Sequence, residues 1–322
     1  KSDAAVVRLR EQNKKNKSEV FSGVAASVDC NSRWVALDPF RGSIAAVAES
    51  ARNVSCVGAE PVAITNNLNF SSPDNEIGYW QLSSSCNGIS EACKALETPV
   101  TGGNVSLYNE SKNKDNEITP INPTPVIGMV GKIDNVDKAI NSEWKNINDQ
   151  IWLIGSHKSD ITISASSYLE YFHGEITGRP PKIDLFDEKF CQSFLRKAIL
   201  KSFVVSSHDI SDGGLAIAIA ECCISSTKGA TIELKNDNNR NDNLLFAEGG
   251  SRIVFSINKM KEKEWLNYLK EIPLNSKSSV YVKKIGYVTG ESLKIKIEDK
   301  NICNIRVEEL TEKFNNSISG YF

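Results

Sequence analysis

The chain of 322 residues has no apolar run that could cross a membrane. Its longest uninterrupted apolar stretch, residues 215–220, is far shorter than the ~20 residues that a membrane span needs. An excess of positive charge is also missing, because 38 Lys and Arg residues face 40 Asp and Glu residues. Domains that bind nucleic acid usually carry a basic excess or stripe. We therefore expect neither a membrane span nor a nucleic-acid partner.

The cysteine pattern lacks the spacings that disulfide frameworks and zinc sites need. Eight cysteines are scattered through the chain, and no C-x-x-C pair occurs among them. Disulfide frameworks belong mainly to small secreted domains, and structural zinc sites use close cysteine pairs. The pattern indicates small buried thiols in a cytoplasmic protein. Because the chain begins with Lys1 and strand-like sequence follows at once, we interpret it as part of a longer protein or as a processed product.

The composition is that of a globular protein with two domains. Hydrophobic residues make up 40% and charged residues 24%, which is close to the average for soluble chains. At roughly 150 residues per domain, the length predicts two domains. The polar, Asn-rich stretch 134–150 predicts the boundary, with domains at 1–148 and 149–322. The order of strands and helices indicates an α/β or α+β fold in two layers.

Apolar periodicity predicts the individual elements. Strands are expected at 4–9, 24–28, 33–37, 61–65, 124–132, 151–155, 203–206, 231–234, 253–257, 280–288 and 293–297. Helices are expected at 44–57, 77–96, 187–201, 213–224, 259–271 and 308–315. The polar run 236–243 predicts a solvated loop.

The segment 101–106, with the sequence TGGNVS, is a candidate ligand loop. Two glycines after a short strand let backbone amides approach phosphate oxygens closely, while Asn104 faces a cation and Ser106 adds a hydroxyl. No lysine follows the glycines, so the spacing is not that of a Walker loop. A glycine turn with capping side chains fits the same pattern.

The segment 207–214, SHDISDGG, lies between a predicted strand and an apolar helix. Ser211 or Asp212 can cap that helix, whose free amides attract anions, and Asp209 could hold a Mg²⁺ ion that accompanies a phosphate. An ordinary helix cap with a hydrogen-bonded His208 is the alternative.

Other polar residues are weak signals by themselves. Glu49 and Asn53 share one helix face and offer hard oxygen donors, but such pairs are common on solvated helices, and Asp3 before the first strand is equally unspecific. His157 and His173 have no metal-ligand partner at suitable spacing, and His173 with its following glycine predicts a helix end. No nucleophile elbow or zincin motif occurs, and no internal general base is recognisable.

Taken together, several segments resemble the C-terminal half of phosphoribosylformylglycinamidine synthase, the synthetase subunit of purine biosynthesis in the aminoimidazole ribonucleotide synthetase-like superfamily. These segments are 37–39, 48–53, 58–70, 88–93, 99–109, 123–128, 208–215 and 245–252. The resemblance implies a two-domain half of the synthetase, with an N-terminal sheet-and-helix domain and a C-terminal α/β domain.

The resemblance also implies a function as an ATP-dependent C–N ligase. The family converts formylglycinamide ribonucleotide to the amidine with ATP, Mg²⁺ and glutamine-derived ammonia. Expected partners are the N-terminal half of the synthetase or a second copy of this chain, and a glutaminase subunit or domain. A non-catalytic nucleotide-binding scaffold and a stand-alone homodimeric synthetase of the same superfamily are the alternatives.

Site residues carried over from the resemblance fall into two groups. One comprises Asn66 and Gly103 for ATP, Asn104 for Mg²⁺ and Ser106 for the substrate. The other is an auxiliary nucleotide site with Asp3, Glu49, Asn53 and Asp209 for Mg²⁺ and Ser211 for ADP or ATP.

The sequence departs from the family pattern at several of these places. Asn66 stands where many members have Asp, Ser71 replaces a glycine, and the turn 41–43 is not acidic. The histidine motifs that supply the family's base have no counterpart, so no catalytic residue is assigned. Half of an active site is expected, and no synthetase activity from the chain alone.

Overall fold

A computed structural model describes residues 1–10, 21–236, 240–272 and 279–318 of the chain. The first part contains β1 (Ala5–Arg8), β2 (Gly23–Asp29), α1 (Ser32–Leu37), α2 (Pro39–Cys56), β3 (Glu60–Asn69), α3 (Glu76–Leu96), β4 (Val100–Ser106), β5 (Glu110–Lys112), β6 (Ile118–Pro120) and β7 (Thr124–Ile133). The second part contains β8 (Gln150–Ser156), α4 (Ser167–His173), α5 (Leu185–Leu200), β9 (Val204–Asp209), α6 (Gly214–Ser226), β10 (Ala230–Leu234), α7 (Asn241–Phe246), β11 (Ile253–Ile257), α8 (Glu262–Glu271), β12 (Val280–Val288), β13 (Ser292–Ile297), β14 (Lys300–Arg306) and α9 (Val307–Asn316).

The first sheet has the strand order β1-β2-β7-β3-β4, and all neighbours are antiparallel except β3 and β4. Helices α2 and α3 cover its inner face, where Val47, Ile64 and Ile127 are fully buried. The outer face stays open, so that Val28 is 71% and Val7 64% exposed. This sheet therefore has one packed face and one free face that is partly apolar.

The second sheet has the order β14-β13-β10-β12-β8-β11-β9 and is packed on both faces. One core joins the sheet to α6 and α7 through Leu215 and Leu245, and the other joins it to α5 and α8 through Leu195 and Trp265. The mixed α/β fold class expected from the sequence is confirmed.

Helix α2 packs against both domains. The Asp38 side chain caps it by accepting the Arg41 amide at 3.1 Å, and Pro39 supplies the first helical residue. The helix ends before Gly58, whose φ of 91° favours glycine. Most α2 side chains are buried because the helix lies between the first sheet, α3, α5 and β9. Packing on both sides therefore fixes the position of the polar side chains of α2 that face the C-terminal domain.

Several sequence expectations need correction. Residues 33–37 are not a strand but part of α1, because the Asn31 side chain accepts the Trp34 amide and starts a helix. The segment 101–106 does not follow a strand; it lies within the edge strand β4. In the expected loop 236–243, residues 237–239 lie outside the described ranges and 241–243 begin α7.

Two expectations about single elements are confirmed. Strand β12 spans the predicted 280–288, and α4 ends at His173 with Gly174 in the left-handed conformation. All eight cysteines are free thiols; five are buried, Cys86 is exposed, and Cys30 and Cys303 are half-buried. In the described ranges, no helix combines the length and hydrophobicity that crossing a bilayer requires.

Candidate functional site

Carboxylate groups gather where α2 meets the end of β9. Glu49 and Asn53 lie on α2, Asp209 ends β9, and Asp29 ends β2. The Asn53 side-chain amide donates to Asp29 Oδ2 at 2.6 Å. Burial, followed by the negative charge of Asp209, raises the pKa of Asp29 to about 7. Burial and the charges of Asp29 and Asp209 also raise the pKa of Glu49 well above its usual range. The group is therefore a cluster of carboxylates that a cation would stabilise.

Arg52 neutralises part of this charge. It is 2% exposed, its Nε donates to Asp209 Oδ1, and its Nη1 donates to Glu188 Oε2 at 2.9 Å. Although burial alone lowers it, these two carboxylates raise the pKa of Arg52 well above its usual range. The other Asp209 oxygen, Oδ2, is buried and has no hydrogen-bond partner among the described residues. That oxygen is available to a ligand.

Asp3 belongs to a chain of charged hydrogen bonds beside this carboxylate cluster. Its Oδ1 lies 2.6 Å from His208 Nδ1, and its Oδ2 accepts the Asp209 amide at 2.8 Å. His208 Nε2 lies 2.9 Å from Glu221, which accepts from the Lys1 ammonium at 2.8 Å. Although burial lowers it, Asp3 and Glu221 raise the pKa of His208 to about 10. His208 is thus a cation that orients Asp3, and both Asp3 oxygens are already hydrogen-bonded.

The chemistry of these donors fits Mg²⁺, which prefers hard oxygen ligands. Across the described part of the chain, no three His, Cys, Asp or Glu side chains form a ready-made metal cage. Mg²⁺ usually keeps several waters and uses one or two carboxylates together with phosphate oxygens. Glu49, Asn53 and Asp209 supply donors of that number and type, and the unpaired Asp209 Oδ2 is the clearest of them.

The turn before α6 differs from its prediction. Neither Ser211 nor Asp212 caps the helix; Gly213, with a φ of 76°, holds the cap position. The Gly213 amide donates to Glu248 Oε1 at 2.8 Å, so this amide is not free for an anion. Burial and the charge of Asp212 raise the pKa of Glu248. Ser211 follows Asp209 by two residues and is half-buried in the same turn.

The second predicted group lies on β3 and β4. Asn66 pairs with Gly103 and Asn67 with Asn104 in the parallel register. A β-carbon on Gly103 would lie 2.0 Å from Asn66 Oδ1, so a larger residue there would have to displace that amide. Asn104 Nδ2 donates to Asn67 Oδ1 at 3.0 Å. Asn67 and Asn104 therefore form an amide pair that joins β3 to the edge strand β4.

The residues of this second group do not all lie on the same face of the sheet. Successive side chains point to opposite faces, and Asn66 faces inward with the buried Ile64 and Leu68. Asn104 and Ser106 therefore lie on the outer face, where the Ser106 hydroxyl is 3.2 Å from Asn109 Oδ1. The structure brings Asn104 together with Ser106 but places Asn66 on the other side of the sheet.

Three residues of these groups had not been assigned from the sequence. Asp29 ends a strand, Arg52 lies between the two predicted donors on α2, and Asn67 precedes a buried leucine. For Arg52, the sequence offered one sign of a role in the site, which is its position within one helical turn of Glu49. Asp29 and Asn67 reach their partners through sheet pairing, which local patterns do not reveal.

Two family models match the chain. The model for the N-terminal domain of AIR synthase related protein matches residues 1–133, and the model for its C-terminal domain matches residues 146–298. The chain is also 87% identical over 321 residues to a Prochlorococcus marinus (strain MIT 9312) protein called phosphoribosylformylglycinamidine synthase subunit PurL. All of the chain takes part in that match, but it spans only 41% of the relative's length.

Solved structures share the fold. PurL of Thermotoga maritima complexed with ADP matches with a TM-score of 0.72 at 18% identity, over 97% of the chain and 46% of that protein. The same protein complexed with FGAR matches with a TM-score of 0.71, over 91% of the chain and 46% of that protein, at 18% identity. Thiamine monophosphate kinase from Aquifex aeolicus matches with a TM-score of 0.53 at 15% identity, over 90% of the chain and 93% of the kinase.

Proposed function

Since the chain belongs to the AIR synthase related family, whose two domain models together match most of it, we propose that it is one half of an ATP-dependent C–N ligase. In this proposal the ligase converts formylglycinamide ribonucleotide to its amidine in purine biosynthesis, with ammonia that a glutaminase subunit or domain releases from glutamine. Residues 1–148 contact nucleotide and pair sheets, and residues 149–322 form the second domain of a cytoplasmic enzyme. The name of the 87% identical relative supports this reaction.

One observation carries the nucleotide part of the proposal. Asp29, Glu49 and Asp209 crowd together at the domain junction, their pKa values are raised, and Asp209 Oδ2 has no hydrogen-bond partner in the described ranges. Crowded carboxylates of this kind are stabilised by a divalent cation. Glu49, Asn53 and Asp209 would hold Mg²⁺, which would bridge to phosphate oxygens of ADP or ATP, with Ser211 beside the nucleotide. His208 would keep Asp3 oriented toward the Asp209 backbone.

The outer face of the first sheet would supply the other half-site. Asn104 would serve Mg²⁺ and Ser106 the substrate, with the backbone of Gly103 next to ATP. Because Asn66 faces the inner side, we propose that it acts by positioning the strand and that Asn67 is the amide beside Asn104. The base that the reaction needs would come from the N-terminal half of the synthetase, which fits the 41% share of the relative's length.

The experiment is an assay of ADP release with formylglycinamide ribonucleotide, Mg²⁺–ATP and ammonia. The chain alone should be inactive, and adding the N-terminal half should restore turnover, because general acid–base residues typically contribute about 10²–10⁴-fold. Glutamine should replace ammonia only when the glutaminase partner is present. Within the reconstituted enzyme, Ser106→Ala should raise the KM for the ribonucleotide, whereas Ser111→Ala, on the nearby β5, should leave it unchanged.

Other outcomes favour the alternatives. Substantial turnover by the chain alone would favour a stand-alone synthetase, an option that the 93% coverage of the smaller kinase keeps open. Nucleotide binding without turnover in any mixture would favour a scaffold that binds nucleotide and catalyses nothing.

A further inference from the structure

A second polar cavity lies in the C-terminal domain, away from the residues assigned above. It measures about 320 Å³ and opens at the end of β8, beside β12 and α7. Its basic lining residues are Lys235, Arg252, Lys283 and His157. The described lining contains no Asp or Glu side chain. Among the described residues, the cavity is therefore a concave surface lined by cationic groups and by no carboxylate.

Arg252 is the buried cation of this cavity. It is 3% exposed, and its Nη2 donates to the Ala247 carbonyl at 2.6 Å. Its Nε is buried and lacks a hydrogen-bond partner, and no carboxylate of the described ranges lies within ion-pair distance. Arg52 is buried to the same extent but has both Asp209 and Glu188. Among the described residues, this buried guanidinium has no counter-ion, and a buried charge without one is costly, so the position of Arg252 favours an anionic ligand.

The rim adds further positive charge. Lys235 and Lys283 are exposed, and the His157 ring packs against Tyr281 with ring centroids 4.7 Å apart. Behind the rim, the Ser156 hydroxyl donates to Asp187 at 2.5 Å, so that carboxylate is already engaged. An anion at the mouth would meet two ammonium groups and then the guanidinium below them.

We propose that this cavity binds the phosphate group of a small phosphorylated metabolite. Three cationic side chains match a phosphate dianion, and charge-assisted hydrogen bonds to phosphate are the strong ones. The volume lies at the lower end of the range of small-ligand pockets, about 300–1,000 Å³. Leu215, Leu234 and Leu244 provide apolar wall for a carbon skeleton. None of the residues assigned to the nucleotide sites lines the cavity, so this inference is independent of the proposed function.

The test is equilibrium dialysis of the purified protein against radiolabelled inorganic phosphate and, separately, against labelled ribose 5-phosphate. EDTA in the buffer removes divalent cations and so suppresses metal-dependent phosphate binding at the domain junction. Lys283→Ala should weaken binding about tenfold, which is the scale of one charge-assisted contact. Arg252→Gln should abolish binding. Tighter binding of ribose 5-phosphate than of phosphate identifies an ester as the ligand, and equal binding identifies free phosphate.

Lys284→Ala is the matched control, because Lys284 is the next residue on β12, is exposed and does not line the cavity. It should bind both probes as the unchanged protein does. If Arg252→Gln does not fold, the double variant Lys235→Ala/Lys283→Ala decides the question, since both side chains are on the surface. The proposal is overturned if neither probe binds, or if Lys284→Ala weakens binding as much as Lys283→Ala.

Discussion

Gly102 and Gly103 are adjacent in sequence but have different surroundings. A β-carbon at 103 would lie 2.0 Å from Asn66 Oδ1 and 2.9 Å from the Asn66 carbonyl, whereas one at 102 would meet nothing within 4 Å. Gly103→Ala should therefore displace the Asn66 amide and destabilise the fold by about 1 kcal/mol, the scale of mild overpacking. Gly102→Ala should be neutral. Thermal denaturation of the two variants compares them directly, and equal melting temperatures would contradict this account of the strand pair.

Arg52 is the second residue whose removal has a clear consequence. Arg52→Met would leave Asp209 and Glu188 buried without their cation, and breaking a buried pair in this way costs about 3–5 kcal/mol. Arg196→Met is a suitable control, because Arg196 lies on α5, is half-buried and donates to the neutral Ser55 hydroxyl at 2.7 Å. Urea denaturation should show a much larger loss of unfolding free energy for Arg52→Met. Similar losses for the two variants would mean that the Arg52 ion pairs contribute little.

Part of the candidate site was predictable at this scale. Glu49 and Asn53 share a helix face because of their spacing, and the structure places both at the domain junction. Asp29 could not be predicted, because its contact with Asn53 depends on how β2 packs beside α2. The second half of β3 and the strand β4 were not predicted as strands, and the pairing of Asn66 with Gly103 requires the strand register.

At the scale of elements, His208 connects the N-terminal segment, β9 and α6 through Asp3 and Glu221. The pKa of His208 rises from 6.5 to about 10 on folding, so its stabilising effect is complete below pH 6.5 and is lost as the pH rises through about 10. The pKa of Glu221 falls from 4.5 to about 2, mainly because hydrogen bonds from His208 and Lys1 outweigh burial. The contribution of Glu221 to the free energy of unfolding is present above pH 4.5 and is lost as the pH falls through about 2.

His208→Gln should remove most of this pH dependence. Between pH 6.5 and 10 the unchanged protein should lose unfolding free energy relative to the variant, and the difference at neutral pH should be about 1–3 kcal/mol. His157→Gln, at an exposed ring just after the end of β8, is the control. Parallel pH profiles for the unchanged protein and His208→Gln would show that the charged chain does not support the fold.

Local sequence signals decided which elements were predictable. Long periodic segments such as α3, and the apolar strands β11 and β12, were predicted with nearly correct bounds. Residues 33–37 were misread because Trp34 and Val35 favour strands, while the helix depends on the Asn31 cap and on the Trp34 indole donating to the Ala165 carbonyl. Strand β14 was missed because its residues alternate weakly and stay exposed at a sheet edge.

For the whole molecule, the open face of the first sheet predicts an assembly. Val28, Val7 and Val130 lie on this outer face and are 71%, 64% and 38% exposed. The face should pair with the N-terminal half of the synthetase or, in its absence, with a second copy in a two-fold dimer. Sedimentation at micromolar concentration should show a dimer that Val28→Lys dissociates, whereas Ile302→Lys, on the exposed β14, should leave it intact. A stable monomer would contradict this prediction.

The most direct test of the account is a calorimetric titration of the protein with ADP in Mg²⁺. In the proposed arrangement the nucleotide lies at the domain junction, where carboxylates offer charged metal ligands, and not at β4, where Asn67 and Asn104 are neutral amides. Asp209→Asn should therefore weaken ADP binding by about 1–3 kcal/mol, the scale of a charge-assisted contact, while Asn104→Ala should change it little. Asp134→Asn, at an exposed carboxylate whose ion pair is with Lys132, controls for the loss of charge. Loss of ADP binding in Asn104→Ala with binding retained in Asp209→Asn would show that the site assignment is inverted.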